Sequence, residues 1–485
     1  MKNSHEIELN RLMDDAVMTP SHWKVWFLSA MGIFLDGFDL FIIGIALPLI
    51  KLEYEPTPWH IGALGVSCIL GAVLGSVITG YMTDRFGRKT FYLGDMAFCI
   101  VAALLTGCAW SIESLIVFRF ILGIGIGADY PLSASYISEF MPSRVRGRMI
   151  VAGFSFQALG MFMAALAGVA VIFLFPASGF AWRLMLMISV LPAGLVLIFR
   201  LNIPESPRWL LSKGRSKKAA HILHRYLPAR KAEIEKIVST ELKLIKEIHK
   251  KELGYSALFS RKYIRRTVLC SVPWFLMDIA TYGVGVFTPI ILGSMLHFGS
   301  SVKDRAFSEI TGAAFVNVFL IAGFILNLLL VEILGRIKLQ LLGFMGMSAG
   351  LCVLASASLL PGGGSAHLPL IFTGFIVFNL LMNMGPNATT FILPVELFPT
   401  AVRASGHGFA AALAKTGAAA GVFLLPVLSA EWGISKVLLL LAVTAFAGFI
   451  ITWFFRVETK GKSLDELEVV LSDIRQKDVF RSNSI

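Results

Sequence analysis

Paired cysteines, metal-ligand clusters and nucleophile–base motifs are all lacking in this sequence. Its five cysteines, Cys68, Cys99, Cys108, Cys270 and Cys352, lie inside apolar runs, and none forms a CxxC pair. They read as small hydrophobic residues, not as disulfides or ligands. No metal, no cofactor and no enzymatic chemistry are therefore expected. Charge is scarce too: Asp, Glu, Lys and Arg make up 15% of the chain, and 31 acids face 43 bases, a net +12. A cleavable signal peptide is not visible. Residues 1–22 are polar and hold Glu6, Glu8, Asp14 and Asp15, and the first apolar run is too long for a signal h-region.

What is abundant is apolar surface. The chain is 56% hydrophobic with a mean hydropathy of +0.75, whereas soluble domains run nearer ~45–50% apolar. Twelve apolar segments can be placed, at 23–50, 59–82, 90–110, 114–138, 149–175, 181–200, 266–296, 308–331, 339–360, 368–394, 405–428 and 434–456. Each is near the ~20 residues a helix needs to cross the hydrocarbon core. An all-α membrane protein with twelve transmembrane helices is expected. Loops carrying DRFGRK (84–89), Arg144, Arg146 and Arg148, the 201–265 stretch, Arg336 and Lys338, Arg403, and the tail after Arg456 form the basic set. The alternate loops, such as PASGF (176–180) and PGGGSAH (361–367), are short and nearly uncharged. By the positive-inside rule the basic set and both termini are cytoplasmic, as in a multi-pass protein of the cell (inner) membrane. The positive balance then marks membrane loops, and no nucleic-acid partner is expected.

The chain repeats itself. DRFGRK after span two is echoed by EILGRIK (332–338) after span eight. Glu139 has Pro142 and Arg146 behind it, and Glu396 has Pro399 and Arg403 at the same spacing. PESPRW (204–209) is answered by VETKGKS (457–463), all at an offset of about 250 residues. The organisation expected is a six-helix bundle over 1–200, a cytoplasmic linker with amphipathic helices over 201–265, a second six-helix bundle over 266–456, and a cytoplasmic tail over 457–485. A parallel repeat of this kind predicts a solute site between the halves.

Five ionisable residues fall near the middle of spans: Asp36, Asp39, Asp129, Asp278 and Lys415. A charge at the bilayer centre costs at least ~2.5–3.5 kcal/mol, so chains seldom keep one without a use. Asp36 lies 12 residues past Lys24, Asp278 lies 12 past Arg266, and Lys415 lies 12 past Arg403. Asp129 lies 10 before Glu139, and Asn387 lies 9 before Glu396. At ~1.5 Å per residue these positions share one depth. Trp274, Asp278 and Tyr282 recur every four residues and share a helix face. Gln157 and Tyr130 are further cavity candidates. Asp39 is one turn from Asp36 and reads as its helper. Arg119 either neutralises a span-one acid or organises the bundle, and Asp95 is placed near the cytoplasmic surface. At the inner face, Asp84, Arg85 and Arg88, with Glu139 and Arg146 and their echoes Glu396 and Arg403, are expected to pair when a gate closes and part when it opens.

GYMTDRFGRK (80–89), RFILGIGIG (119–127), PESPRWL (204–210) and VETKGKS (457–463) resemble the sugar-porter-type branch of the major facilitator superfamily, across both halves. DGFDLF (36–41), GADYPLSASYISE (127–139), WFLMDIATY (274–282), NMGPNATTF (383–391) and GHGFAAALAKTGA (406–418) are similar to the phosphate:proton symporters within it. The resemblance implies the major facilitator fold. It implies that Asp36 and Asp129 handle protons and that Tyr130, Gln157, Trp274, Asp278, Tyr282 and Asn387 contact phosphate, with Lys415 as the cation near the site. Ala128 and Ala414 depart from the pattern, each standing where a glycine is usual.

The expected partners are a small-molecule substrate, protons and the lipid bilayer, with the monomer as the working unit. Import of inorganic phosphate with protons is the leading reading. A proton-coupled carrier of a sugar, polyol or organic acid is the alternative, since Gln157, Asn387 and Trp274 would suit a hydroxylated ring as well. Lys415 separates the two: a neutral sugar gives no reason to keep a midplane cation. A non-transporting sensor would usually carry a longer tail. GIGIG (123–127) lies inside a span, where its glycines permit close helix contact and do not form a phosphate loop.

Overall fold

Every regular element among the residues that the computed structural model describes (4–175, 180–244, 254–295, 302–360 and 367–462) is helical. A short amphipathic helix, α1 (Ser4–Asp14), precedes the spans. The first set of spans is α2 (Pro20–Tyr54), α3 (Pro58–Phe86), α4 (Arg88–Gly107), α5 (Ile112–Phe140), α6 (Ser143–Leu174), and the pair α7 (Phe180–Met187) and α8 (Val190–Arg200). The linker holds α9 (Pro207–Ser212), α10 (Ser216–Tyr226) and α11 (Lys231–Leu244). The second set is α12 (Ile264–Met295), α13 (Val302–Leu334), α14 (Arg336–Leu359), the pair α15 (Leu368–Met384) and α16 (Pro386–Leu397), α17 (Arg403–Trp432) and α18 (Ile434–Phe455). Eleven described helical stretches are long and apolar enough to cross a membrane, and α13 adds a shorter apolar stretch, Val318–Leu334. Most of the PASGF and PGGGSAH loops, the 245–252 part of the linker's helical pattern, and the tail from 463 lie outside the described residues.

Two expected single spans are broken, for chemical reasons. Span ten ends at Gly385 because Pro386 has no N–H to continue the ladder. The carbonyl of Met384, the last residue of α15, accepts a hydrogen bond from Asn327. Span six is interrupted between Met187 and Val190. Pro131 sits inside α5 without ending it, and Ser76 Oγ donates to the Gly127 carbonyl at 2.9 Å, the acceptor that the proline leaves unmatched.

Small residues set the closest contacts. A methyl group at Gly123 would come within 2.1 Å of the Cys68 carbonyl, and one at Gly127 equally close to that of Ala72. Gly71 and Gly75 return the contact from α3 onto the Phe120 and Ile124 carbonyls. This is glycine spaced by four residues on both helices, which lets backbones touch where the hydrophobic effect gives no drive in lipid. The GIGIG run is therefore helix packing, as its place in a span implied.

By contact the chain forms two units. One holds Met1–Thr267 with Ile392–Phe409 and the described part of Thr459–Ile485; the other holds Val268–Phe391 and Ala410–Glu458. In the first, α3 packs on α5, α2 on α6, and α4 on α5 and on both α7 and α8. In the second, α13 packs on α15, and α14 on α15 and α18. Gly417 and Gly421 of α17 face the Phe275 and Ile279 carbonyls of α12. Span for span these are the same pairings, so the repeat seen in the motifs is also a repeat of packing.

Candidate functional site

The helix-end motifs build the first cluster. Gly87 (φ +108°) turns the chain between α3 and α4, and the Glu205 carboxylate caps α4, accepting from the Arg88 N–H at 2.9 Å and the Lys89 N–H at 3.2 Å. Free N–H groups and the helix dipole favour an anion there. Gly335 (φ +92°) and Glu458 do the same for α14, with the Arg336 N–H at 3.0 Å and the Ile337 N–H at 3.1 Å. The PESPRW and VETKGKS glutamates thus perform one task in both repeats.

Around Glu205 the charges interlock. Arg88 Nη2 donates to Asp84 at 2.8 Å, to Glu139 at 3.0 Å and to the Thr400 carbonyl at 3.0 Å. Arg403 Nη1 reaches the same Glu139 oxygen at 3.0 Å. Asp84 accepts the Ala404 and Ser405 N–H groups at 3.2 and 2.7 Å. All five groups belong to the first unit, and Arg88, Glu139 and Arg403 are at most 1% exposed. The structure brings Asp84, Arg88, Glu139 and Arg403 together. The other gate candidates go elsewhere. Arg85 is exposed, with its guanidinium 5.4 Å from the Phe86 ring centre. Arg146 pairs with Asp14, and Glu396 accepts from Thr459 Oγ1.

The second cluster lies inside the first unit. Asp36, Asp39, Asp95 and Asp129 line one small cavity, together with Cys99 and Ser189. Asp129 is held on both sides: Ser133 Oγ donates to one oxygen at 2.7 Å, and Arg200 approaches the other at 3.3 Å. Arg200 also lies 3.6 Å from the Tyr92 ring centre, a cation–π geometry. Gly32 leaves room for this pair, since a methyl group there would come within 2.2 Å of the guanidinium and 2.5 Å of the carboxylate. One oxygen of Asp36 and both of Asp95 have no hydrogen-bond donor among the described residues. Arg119 donates to the Asp39 backbone carbonyl at 2.8 Å, so it braces α2 through its backbone. Beside Asp129, Gln157 Nε2 donates to Tyr130 Oη at 2.5 Å.

Two residues here escaped the sequence reading. Asp95 is buried and deeper than the sequence placed it: α4 begins at Arg88, which puts Asp95 roughly 10 Å along the helix axis. Arg200, the last residue of span six, carries no expectation from the sequence. The buried acid Asp129 calls for a cation, and the structure supplies it from the end of α8, a segment that no motif links to α5.

The third cluster lies inside the second unit. Asp278 and Tyr282, one turn apart on α12, both reach Lys415 of α17, whose Nζ lies 2.7 Å from the Tyr282 hydroxyl and 3.7 Å from the Asp278 carboxylate. Trp274, one turn earlier, is buried and meets Phe391 edge-on with centroids 6.0 Å apart. Asn387 opens α16 just after the Gly385 break and donates to Asn383 at 2.7 Å. A buried ammonium between a carboxylate and a phenol suits an oxyanion that brings its own proton.

The family described as Sugar (and other) transporter matches residues 25–471. The inner membrane metabolite transport protein YgcS of Escherichia coli K12 is 34% identical over 93% of this chain and 95% of its own length. Probable inorganic phosphate transporter 1-12 of rice is 30% identical over 96% of this chain and 95% of its own. Low affinity inorganic phosphate transporter 4 of Medicago truncatula is 32% identical over 95% and 94%. Among solved structures, the proton:xylose symporter XylE bound to 6-bromo-6-deoxy-D-glucose superposes with a TM-score of 0.78 at 20% identity, covering 93% of this chain and 99% of that one.

Proposed function

Because the chain belongs to the sugar (and other) transporter family, a multi-pass membrane transporter of the major facilitator fold, we propose that it imports inorganic phosphate together with protons by alternating access. The observation that carries this reading is Lys415, a buried ammonium in a membrane-spanning helix, shared between Tyr282 and Asp278. A neutral solute offers no return for the ~2.5–3.5 kcal/mol such a charge costs. Phosphate does: its oxyanion is attracted to the ammonium, and its P–OH gives Asp278 a donor in place of a repelled charge. Asp278 accepts from the P–OH of monobasic phosphate, while Trp274, Tyr282 and Asn387 supply donors; Tyr130 and Gln157 are assigned to the same solute. The names of the plant relatives point the same way.

Protons are assigned to the carboxylate cluster, with Asp129 and Asp36 as carriers, Asp39 and Arg119 in support, and Asp95 joining them. Asp84, Arg88, Glu139 and Arg403 form the cytoplasmic gate, whose ion pairs part for release inward. The rest of the reading follows the sequence: halves over 1–200 and 266–456, a cytoplasmic linker and tail, cytoplasmic termini, the inner membrane, and a working monomer. A sugar, polyol or organic-acid symporter is the second reading, favoured by the ring-sized indole of the buried Trp274. Proteoliposomes with an imposed inward proton gradient test both. Labelled phosphate is expected to accumulate, and xylose, inositol and small acids are not expected to compete. Accumulation of xylose or inositol instead, with no uptake of phosphate, would sink the phosphate assignment.

A further inference from the structure

The last residue of α1 is an acid, and it lies among arginines. Asp14 is buried, and one of its oxygens accepts from both Arg146 and Arg208, the latter at 2.7 Å. Among the described residues it is the acid paired with these two buried guanidinium groups. Arg208 in turn donates through Nε to the Glu139 carbonyl at 3.2 Å. Glu139 is the carboxylate on which Arg88 and Arg403 converge. A continuous chain of charge-assisted contacts therefore runs from α1 to the inner ends of α3, α5 and α17.

Local helix stability does not account for Asp14. A carboxylate at a helix C-terminus opposes the helix dipole. What holds α1 in place is Leu9, Leu12 and Met13, all buried, together with Ser143 Oγ donating to the Asp14 carbonyl at 3.1 Å. The helix packs on α9 and α11 of the linker. Removal of Asp14 would leave Arg146 and Arg208 beside Arg403 and Arg88, with Glu396 as the acid still acting on Arg146, so that buried positive charge would be in excess. A buried charge without its partner is far costlier than the pair is favourable.

We propose that α1 is a component of the cytoplasmic gate and that Asp14 is a positioning residue, holding Arg146 and Arg208 where Arg208 braces Glu139. Undocking of α1 then loosens the Asp84–Arg88–Glu139–Arg403 network from a distance. The inference rests on the gate reading above, and the test separates the two.

Hydrogen exchange in nanodiscs reads the gate without any solute. In Asp14→Asn, exchange is expected to rise about tenfold in peptides covering 80–88, 137–146 and 398–405, the gate's own backbone. A role confined to anchoring α1 would raise exchange in 4–14 and 231–244 alone, and that pattern overturns the proposal. Asp14→Glu is expected to stay near wild type, and Arg208→Gln to behave like Asp14→Asn. Asp84→Asn is measured beside them. If it leaves the three gate peptides unchanged, the gate reading fails; if it raises them and Asp14→Asn does not, only the present inference fails. Should Asp14→Asn yield no folded protein, Asp14→Asn with Arg146→Gln and Arg208→Gln removes the excess cations as well. Recovery of folded protein with a loosened gate is then expected, and continued failure to fold overturns the proposal.

Discussion

The two halves repeat each other at the helix ends and part company inside. At these ends, Asp84, Arg88 and Glu205 of the first half are matched by Glu332, Arg336 and Glu458 of the second, down to the glycine of positive φ before each capped helix. In the interior, the first half collects four acids around a small cavity with one arginine on Asp129. The second half pairs one acid with one lysine beside a phenol. A duplicated frame has thus kept the chemistry that the fold needs twice and let the spans diverge. The acid-rich interior suits protons. The mixed interior suits an anion.

That division of labour can be broken most sharply at Asp129. Asp129→Asn should lower uphill uptake driven by a proton gradient at least ~100-fold, the usual weight of a positioned proton-transfer group. Solute exchange at equal pH on both sides should survive. Equal loss of uptake and exchange would mean that the acid cluster handles solute, and the division between the halves would fall.

Lys415→Ala should come next. Loss of one partner of a buried pair leaves Asp278 uncompensated, a matter of about 3–5 kcal/mol. If part of that is felt by the bound anion, the KM for phosphate rises about 30-fold. Adding Asp278→Asn should restore the yield of folded protein without restoring the KM. An unchanged KM for Lys415→Ala would remove the anion from the second half.

A smaller effect is expected at the ends that the halves share. Asp84→Asn removes the charge that faces Arg88 and one of the two oxygens that accept from Arg88 and from the Ala404 and Ser405 N–H groups, and puts a donor in its place. The transport rate should fall about tenfold and the KM by less than about twofold, since each lost hydrogen bond to a charge is worth ~1.5–3 kcal/mol. Unchanged turnover in reconstituted vesicles would show that these pairs do not gate.

Much of this was legible in the sequence because membranes simplify the code. Hydropathy marks the spans, loop charge orders them, and four-residue spacing put Asp278 and Tyr282 on one face, where both reach Lys415. What stayed hidden depended on contacts between distant segments. Arg200 and Asp129 are 71 residues apart, and Arg208 and Asp14 are 194 apart, with no shared motif to join them. The breaks in spans six and ten were hidden differently, because Gly385-Pro386 announces a helix end only once the surrounding donors are known. Asp95 was misplaced by a start point two residues late, which matters when one turn separates surface from interior.

The smallest expected effect concerns a difference at the ends themselves. Where the first half has Arg208, four residues behind the start of PESPRW, the second has Gly461 in VETKGKS, so the contact to Asp14 belongs to the first half alone. Burial alone would raise the Asp14 carboxyl, but the Arg208 and Arg146 charges and their hydrogen bonds carry it below the usual carboxylate range. A group whose folded value is depressed stabilises the native state above its unfolded value of ~3.9, and that contribution fades as the pH falls toward the folded value. Thermal unfolding in detergent should therefore show wild type more stable than Asp14→Asn at pH 7, with the gap constant down to about pH 5 and narrowing below about 4. A gap that is the same at pH 7 and pH 3.5 would mean that Asp14 acts through packing and not through its charge, and the asymmetry between the two halves would then be one of shape.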